Sequence, residues 1–272
     1  LRIGMCDIFG LLSLQYITLQ LSLLADAMVR LCLELAMKDS GVTEPPFAVL
    51  ALGKHGGEEL NYSSDIDLVL IAKKIDRQTQ TIAQRMVEGL NEHLHTGFLY
   101  RVDLRLRPWG NAGPIVTTTE SWVDYLKNHA QLWEKQALLK ARFVAGAADV
   151  AEQMLSAIPQ ILYTESAESV RASIRSMKDR IEASLRRTGR NDIEVKLGSD
   201  SIRDVEFLVQ SLQLIHGAEE PRVASANTLD ALVRLADFGT LPAGDFQQLR
   251  DGYVFLRAIE HALQLQYNRQ TH

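Results

Sequence analysis

Two cysteines in 272 residues, Cys6 and Cys32, are too few for a disulfide framework and have no metal-type spacing, which points to packed thiols in a reducing compartment. Strong positive charge is absent too. The net charge is −5, so bulk electrostatics disfavour a nucleic-acid scaffold. No run of about 18 apolar residues occurs, so no segment is expected to span a membrane. Residues 8–24 are apolar but interrupted by Ser13, Gln15, Thr18, Gln20 and Ser22, the pattern of an amphipathic, partly buried helix. Asp7 near the start, with no cleavage site behind it, argues against a signal peptide. Repeats and low-complexity linkers are missing, and the seven histidines show no ligand spacing; His93 and His95 read as surface or interface residues. The implied setting is cytoplasmic, with neither nucleic acid nor membrane as partner.

What is present is a chain with 46% hydrophobic residues, enough for one large domain or two small ones. Its most informative stretch is Gly53-Lys54 followed by Ser63-Ser64-Asp65-Ile66-Asp67-Leu68. Residues 68–71 form a short β-branched-rich run that reads as a buried strand. Side chains alternate along a strand, so Asp65 and Asp67 share a face, their Cα atoms about 7 Å apart at ~3.3 Å per residue. A second predicted strand, residues 98–107, carries Asp103 among arginines, with Asp103, Arg105 and Arg107 on one face.

Three carboxylates with arginines nearby suit magnesium and phosphate. Magnesium is a hard ion that takes one or two carboxylates plus substrate phosphates, and guanidinium groups neutralise the oxygens it does not reach. Upstream, residues 47–52 read as a strand ending in Gly53-Lys54 and the Gly56-Gly57 pair, where a glycine turn lets backbone N–H groups approach phosphate. The bland alternatives are a strand-end turn for Asp65 and Asp67 and a surface pairing of Asp103 with Arg101 or Arg105.

In this order the residues resemble the DNA polymerase beta-like nucleotidyltransferase superfamily. More narrowly, residues 53–68 are similar to the signature of the glutamine synthetase adenylyltransferase/adenylyl-removing enzyme family. Residues 100–110, 133–142, Val195-Lys196-Leu197-Gly198 and 202–207 agree in order with four further blocks. The resemblance implies Mg²⁺ or Mn²⁺ at Asp65, Asp67 and Asp103, which would be the catalytic residues. Nucleotide or phosphate contacts would come from Gly53, Lys54, Gly56, Gly57, Ser63, Ser64, Arg105, Arg107 and Glu134. ATP, ADP and phosphate are the implied substrates or products, glutamine synthetase and a PII signal protein the implied partners.

Family enzymes carry two such halves, and one signature here, beginning at Leu1, implies an excised half. Gly113-Pro114-Ile115-Val116 and the closing segment 255–272 resemble the N-terminal, adenylyl-removing half; the alternatives are the adenylylating half or a nucleotide-binding regulatory module with impaired catalysis. Two departures stand out: Ser199-Asp200-Ser201 replaces the usual glycine pair before Ile202, and His55 stands where leucine is common, with packing its expected role. Asp204 and Glu206, two apart on a helix, cannot both face a site.

The implied fold is α+β: a polymerase beta-like mixed sheet with flanking helices, then a C-terminal helical bundle. The expected parts are a helical segment 1–45, a catalytic domain 46–160 and a helical domain 161–272. Helices are predicted over 18–36, with Leu21, Leu24, Met28, Leu31 and Leu35 as the apolar face, over 78–94, and from residue 120 onward over 120–126, 131–139, 148–158, 167–186, 202–215, 228–237 and 246–265. A break at 189–192 precedes an extended piece at 193–196.

Overall fold

The computed structural model describes residues 1–92, 98–187 and 201–267. The chain divides into two units, Leu1–Leu60 with Ser64–Ile161, and Asn61–Ser63 with Leu162–His272.

The first unit is built on a mixed sheet. Strand β1 (Ala48–Leu52) and strand β2 (Ile66–Ala72) pair antiparallel, and β5 (Arg142–Gly146) pairs antiparallel with the other edge of β1. Two short strands share the far edge of β2, both parallel to it: β3 (Val102–Asp103) beside its first half and β4 (Val116–Thr118) beside its second. All five residues of β1 are buried, as are six of the seven in β2, Asp67 being the exception. Continuous apolar runs of this kind belong to strands covered on both faces.

Helix α1 (Arg2–Ile8) is followed by α2 (Leu14–Asp39), which packs on β5 and on α4 (Arg77–Asn91). Between β1 and β2 lies α3 (Gly53–Gly56), a single turn. The expected helix over 8–24 is broken between Phe9 and Ser13, where Gly10 takes φ +61° and Ser13 is the N-cap of α2. The buried face of α2 is also not the expected one: Ile17, Leu21, Ala25, Val29, Cys32, Leu33 and Ala36 turn inward, whereas Leu24, Leu31 and Leu35 are exposed. The helix is apolar on most sides, so periodicity alone does not choose the face that meets the sheet. Among the described residues it is the one helix long and apolar enough to cross a membrane by length and composition, and its inner face is filled by protein. Cys32 is buried, which pushes its thiol up; Cys6 is half-buried.

The largest departure from expectation is residues 98–107, which form no long strand. β3 is two residues long, and turns follow at once. Asp103 explains the stop, because its carboxylate accepts the Arg105 backbone N–H at 2.8 Å, closing a local turn in place of a ladder bond. Successive bonds from Arg107 N–H to Leu104 O and Gly110 N–H to Arg107 O wind the chain further.

Helix α5 (Thr119–Asn128) is capped by the Thr118 hydroxyl, and α6 (Leu132–Ala137) opens with a capping box formed by Gln131 and Glu134. Helix α7 (Ala148–Leu162) continues a turn past Pro159, beyond the expected end.

The second unit is helical: α8 (Ala167–Arg187), α9 (Ile202–His216), α10 (Thr228–Asp237) and α11 (Ala243–Tyr267). Val209, Val223, Ala231, Leu232, Leu235 and Leu241 form a core there. Asn227 caps α10, and Gln213 Nε2 donates to the carbonyls of Val223 and Ser225. The strand-like piece 193–196, the break before it, His93, His95, Ser199 and Asp200 lie outside the described residues.

Candidate active site

The site begins where β1 ends. Leu52 and Asp67 are register partners across β1 and β2, and Asp67 is the partner of Asp103 across β2 and β3. Two carboxylates therefore sit on neighbouring strands, whose backbones lie roughly 4.8 Å apart. Gly53 turns the chain immediately after Leu52 with φ +54°, and its α-carbon faces Asp67 so closely that a β-carbon would stand 2.2 Å from Oδ2. Glycine meets both demands at once.

Arginines flank the acids. Arg101 Nε donates to Asp65 Oδ1 at 2.5 Å, and the Arg101 carbonyl accepts the Ile66 N–H, fixing that arginine to the start of β2. Arg105 grips both oxygens of Asp103. Burial alone would raise the Asp103 carboxyl, but the bonds and charge from Arg105 bring it below the usual carboxylate range. The Arg105 guanidinium is shifted upward, by its bond to Asp103 first and also by the charges of Asp67 and Asp65. The Arg105 side chain is itself 71% exposed and can leave Asp103 without unpacking the fold.

Among the described residues no group of three or more His, Cys, Asp or Glu side chains is gathered tightly enough to hold a metal. The donors nevertheless fit a hard ion that needs only one or two carboxylates and completes its shell with phosphate and water. They are all oxygens. Asp67 and Asp103 are in register, and Asp65 is two residues from Asp67.

The other expected contacts divide. Gly56 is packed against backbone: a β-carbon there would lie 1.9 Å from the Lys140 carbonyl oxygen, so close packing accounts for this glycine. Gly57 is buried and Lys54 half-buried. Ser63 is buried in the second unit, its backbone N–H donating to Gln264 at 3.1 Å, and Ser64 is half-buried. In the same unit Asn61 joins Glu260 at 2.7 Å and accepts from Arg257 at 3.0 Å. Arg107 braces its own loop through the carbonyls of Gly113 and Asn111. Glu134 closes the capping box of α6 and accepts the Tyr125 hydroxyl at 2.6 Å.

A buried charge cluster beneath α3 was not legible in the sequence. His55 is fully buried, as packing required, but its Nε2–H also donates to Asp26 Oδ1 at 2.7 Å. Arg142 meets both oxygens of Asp26 at 2.8 and 2.9 Å and donates to the His55 carbonyl at 3.1 Å. Burial alone would raise Asp26, yet His55 and Arg142 hold it below the usual range; burial foremost keeps His55 neutral. Helix α2, the glycine turn and β5 are thus pinned together by one carboxylate. The available signal was an acid in the middle of an otherwise apolar helix.

With this geometry in place, comparison with known proteins is informative. A family model described as glutamate-ammonia ligase adenylyltransferase matches residues 1–157, and one described as GlnD PII-uridylyltransferase matches residues 175–272. The chain is similar to the bifunctional glutamine synthetase adenylyltransferase/adenylyl-removing enzyme of Psychromonas ingrahamii, at 35% identity over 92% of this chain and 29% of that protein. The Mycobacterium leprae protein of the same description is 39% identical over 93% of this chain and 25% of its own length. That of Hahella chejuensis is 34% identical over 99% and 30%. The chain therefore spans between a quarter and three tenths of these relatives.

Proposed function

Since the chain belongs to the glutamate-ammonia ligase adenylyltransferase family, we propose that it is a magnesium-dependent nucleotidyltransferase half that removes AMP from a tyrosine of glutamine synthetase. The observation that carries the reading is the union of Gly53, Asp67 and Asp103 at the ends of β1, β2 and β3, with Asp65 and two arginines at their edge. Its removing direction is supported by the resemblance of residues 113–116 and 255–272 to that half.

In this reaction an oxygen of inorganic phosphate attacks the phosphorus of the adenylyl-tyrosine. A new P–O bond forms, the bond from phosphorus to the tyrosyl oxygen breaks, and ADP leaves as the tyrosyl oxygen takes a proton. The protein's contribution is placement and charge. Arg105, on leaving Asp103, neutralises phosphate oxygens, and Arg101 holds Asp65 at the entrance of β2. Asp103 orients the incoming phosphate or ligates metal. Magnesium held by Asp65, Asp67 and Asp103 would offset the phosphate charge on both the attacking and leaving sides. Glutamine synthetase is the macromolecular substrate on this account, and the match of residues 175–272 to a PII-uridylyltransferase model supports a PII signal protein as regulator. A cytoplasmic place is consistent with α2 packing into the first unit.

Asp65→Asn and Asp67→Asn should each abolish release of ADP while leaving the thermal transition within a few degrees of wild type. Near-normal turnover in both variants would falsify the assignment.

A further inference from the structure

Trp109 combines three unusual properties. It is a non-glycine residue at φ +64°, a conformation that costs of order 1–3 kcal/mol and persists only where its surroundings enforce it. The residue is 57% exposed. It also directly follows the turns that carry Arg105 and Arg107: Gly110, its neighbour, lies against the Arg105 carbonyl, 3.6 Å from where a β-carbon would stand.

The ring is held by a chain of contacts that ends at Glu134. The Trp109 ring packs against the Tyr125 ring, and the Tyr125 hydroxyl donates to Glu134 at 2.6 Å. Burial first, then the Glu134 carboxylate, pushes the Tyr125 hydroxyl up to about 12, so it stays protonated and keeps its bond to Glu134. The other oxygen of Glu134 accepts the Gln131 N–H at the start of α6. Beneath the indole, Tyr125 meets it edge-on with ring centroids 4.9 Å apart, and His129 lies 5.1 Å away. The indole is held by two ring contacts while the residue as a whole remains open to water.

We propose that Trp109, backed by Tyr125 and His129 and clamped by Glu134, is the platform on which the adenine ring of the nucleotide stacks. The inference rests on the phosphate-binding reading of Asp103 and Arg105, and it adds the specificity element that those charged groups lack. A rigid indole offers a planar surface at little entropic cost, and stacking a base on an aromatic side chain is worth ~1–3 kcal/mol, about 5- to 150-fold in affinity. Glu134 is then a positioning residue, acting through Tyr125.

The test is calorimetric titration of the chain with ADP and, separately, with pyrophosphate, both with Mg²⁺. Pyrophosphate keeps the two phosphorus centres and lacks the ring. In Trp109→Ala, ADP affinity should fall about 5- to 150-fold while pyrophosphate affinity is unchanged. Trp109→Phe should recover most of the loss, and Glu134→Gln should weaken ADP alone. An unchanged ADP affinity in Trp109→Ala overturns the platform, as does an equal loss of both ligands in Trp109→Ala and Trp109→Phe, which marks a loop brace. Unchanged ADP affinity with a raised KM for adenylylated synthetase assigns the indole to the tyrosyl ring and also overturns it. Wild-type protein that binds pyrophosphate as tightly as ADP overturns this inference alone; binding of neither overturns the phosphate site as well.

Discussion

A β-carbon on Gly53 would stand 2.2 Å from the Asp67 carboxylate oxygen, so the glycine turn and the central acid define each other's position. Gly53→Ala adds that atom at a left-handed φ of +54°. The conformational cost is about 1–2 kcal/mol, and the carboxylate must move because it is the softer partner. The substitution should lower the melting temperature by a few degrees while reducing turnover at least about tenfold, a rotation of the acid costing more in rate than in stability. Paired thermal and kinetic measurements check it; a loss of stability with full turnover would show that Asp67 has no fixed role.

The Asp26–His55–Arg142 cluster makes stability depend on pH with a definite sign. Burial holds the folded-state pKa of His55 below its ordinary 6.5. As pH falls through 6.5 the unfolded chain takes up a proton that the folded protein refuses, so stability declines, by at most about 1.4 kcal/mol per pH unit. The Asp26 contribution, present above the ordinary carboxylate range, is lost only in stronger acid, through its own depressed pKa. Urea midpoints measured from pH 7 to pH 5 should fall for wild type and stay flatter for His55→Gln, which keeps a donor and cannot titrate.

Lys140 and Glu59 form an ion pair at 2.8 Å with both side chains almost fully buried. Removing one charge takes the ion-pair partner from a buried charge, at a cost of up to ~3–5 kcal/mol. Lys140→Met should therefore destabilise strongly, and Lys140→Met combined with Glu59→Gln should recover much of the loss. Additive losses in urea denaturation would mean the pair is not coupled.

Arg105→Ala removes the guanidinium that does most to hold Asp103 below the usual carboxylate range, leaving only the residue-105 backbone N–H and Arg107 against burial, so the carboxyl rises relative to wild type. If Asp103 acts in its ionised form, as proposed, the acid limb of the activity profile should move to higher pH, because the carboxyl now holds its proton longer. Alongside this, phosphate KM should rise. An unmoved acid limb would take Asp103 out of the ionisations that govern the rate.

The sheet and its acids were legible because they depend on short-range pattern. β1 and β2 are apolar runs bounded by glycine and aspartate, and the spacing of Asp65 and Asp67 needs no tertiary knowledge. Residues 98–107 were misjudged because their apolar and arginine content fits a strand, whereas the Asp103 side chain captures the Arg105 N–H and turns the chain. The buried side of α2 was missed for a related reason: Leu24, Leu31 and Leu35 are as apolar as the residues facing inward. Asp26 meets Arg142 across 116 positions of sequence, a pairing no local pattern announces. Glu134 was singled out as a candidate site residue, and its partner Tyr125 emerged only from the fold.

The central claim is that Asp65, Asp67 and Asp103 drive phosphorolysis of adenylyl-tyrosine. The most direct measurement incubates the chain with adenylylated glutamine synthetase, phosphate and Mg²⁺, and follows ADP. The account predicts phosphate- and Mg²⁺-dependent release of ADP that disappears in Asp67→Asn. No ADP from wild-type chain, with AMP transferred instead from ATP onto unmodified synthetase, would contradict the removing direction; ADP release by Asp67→Asn at the wild-type rate would contradict the site itself.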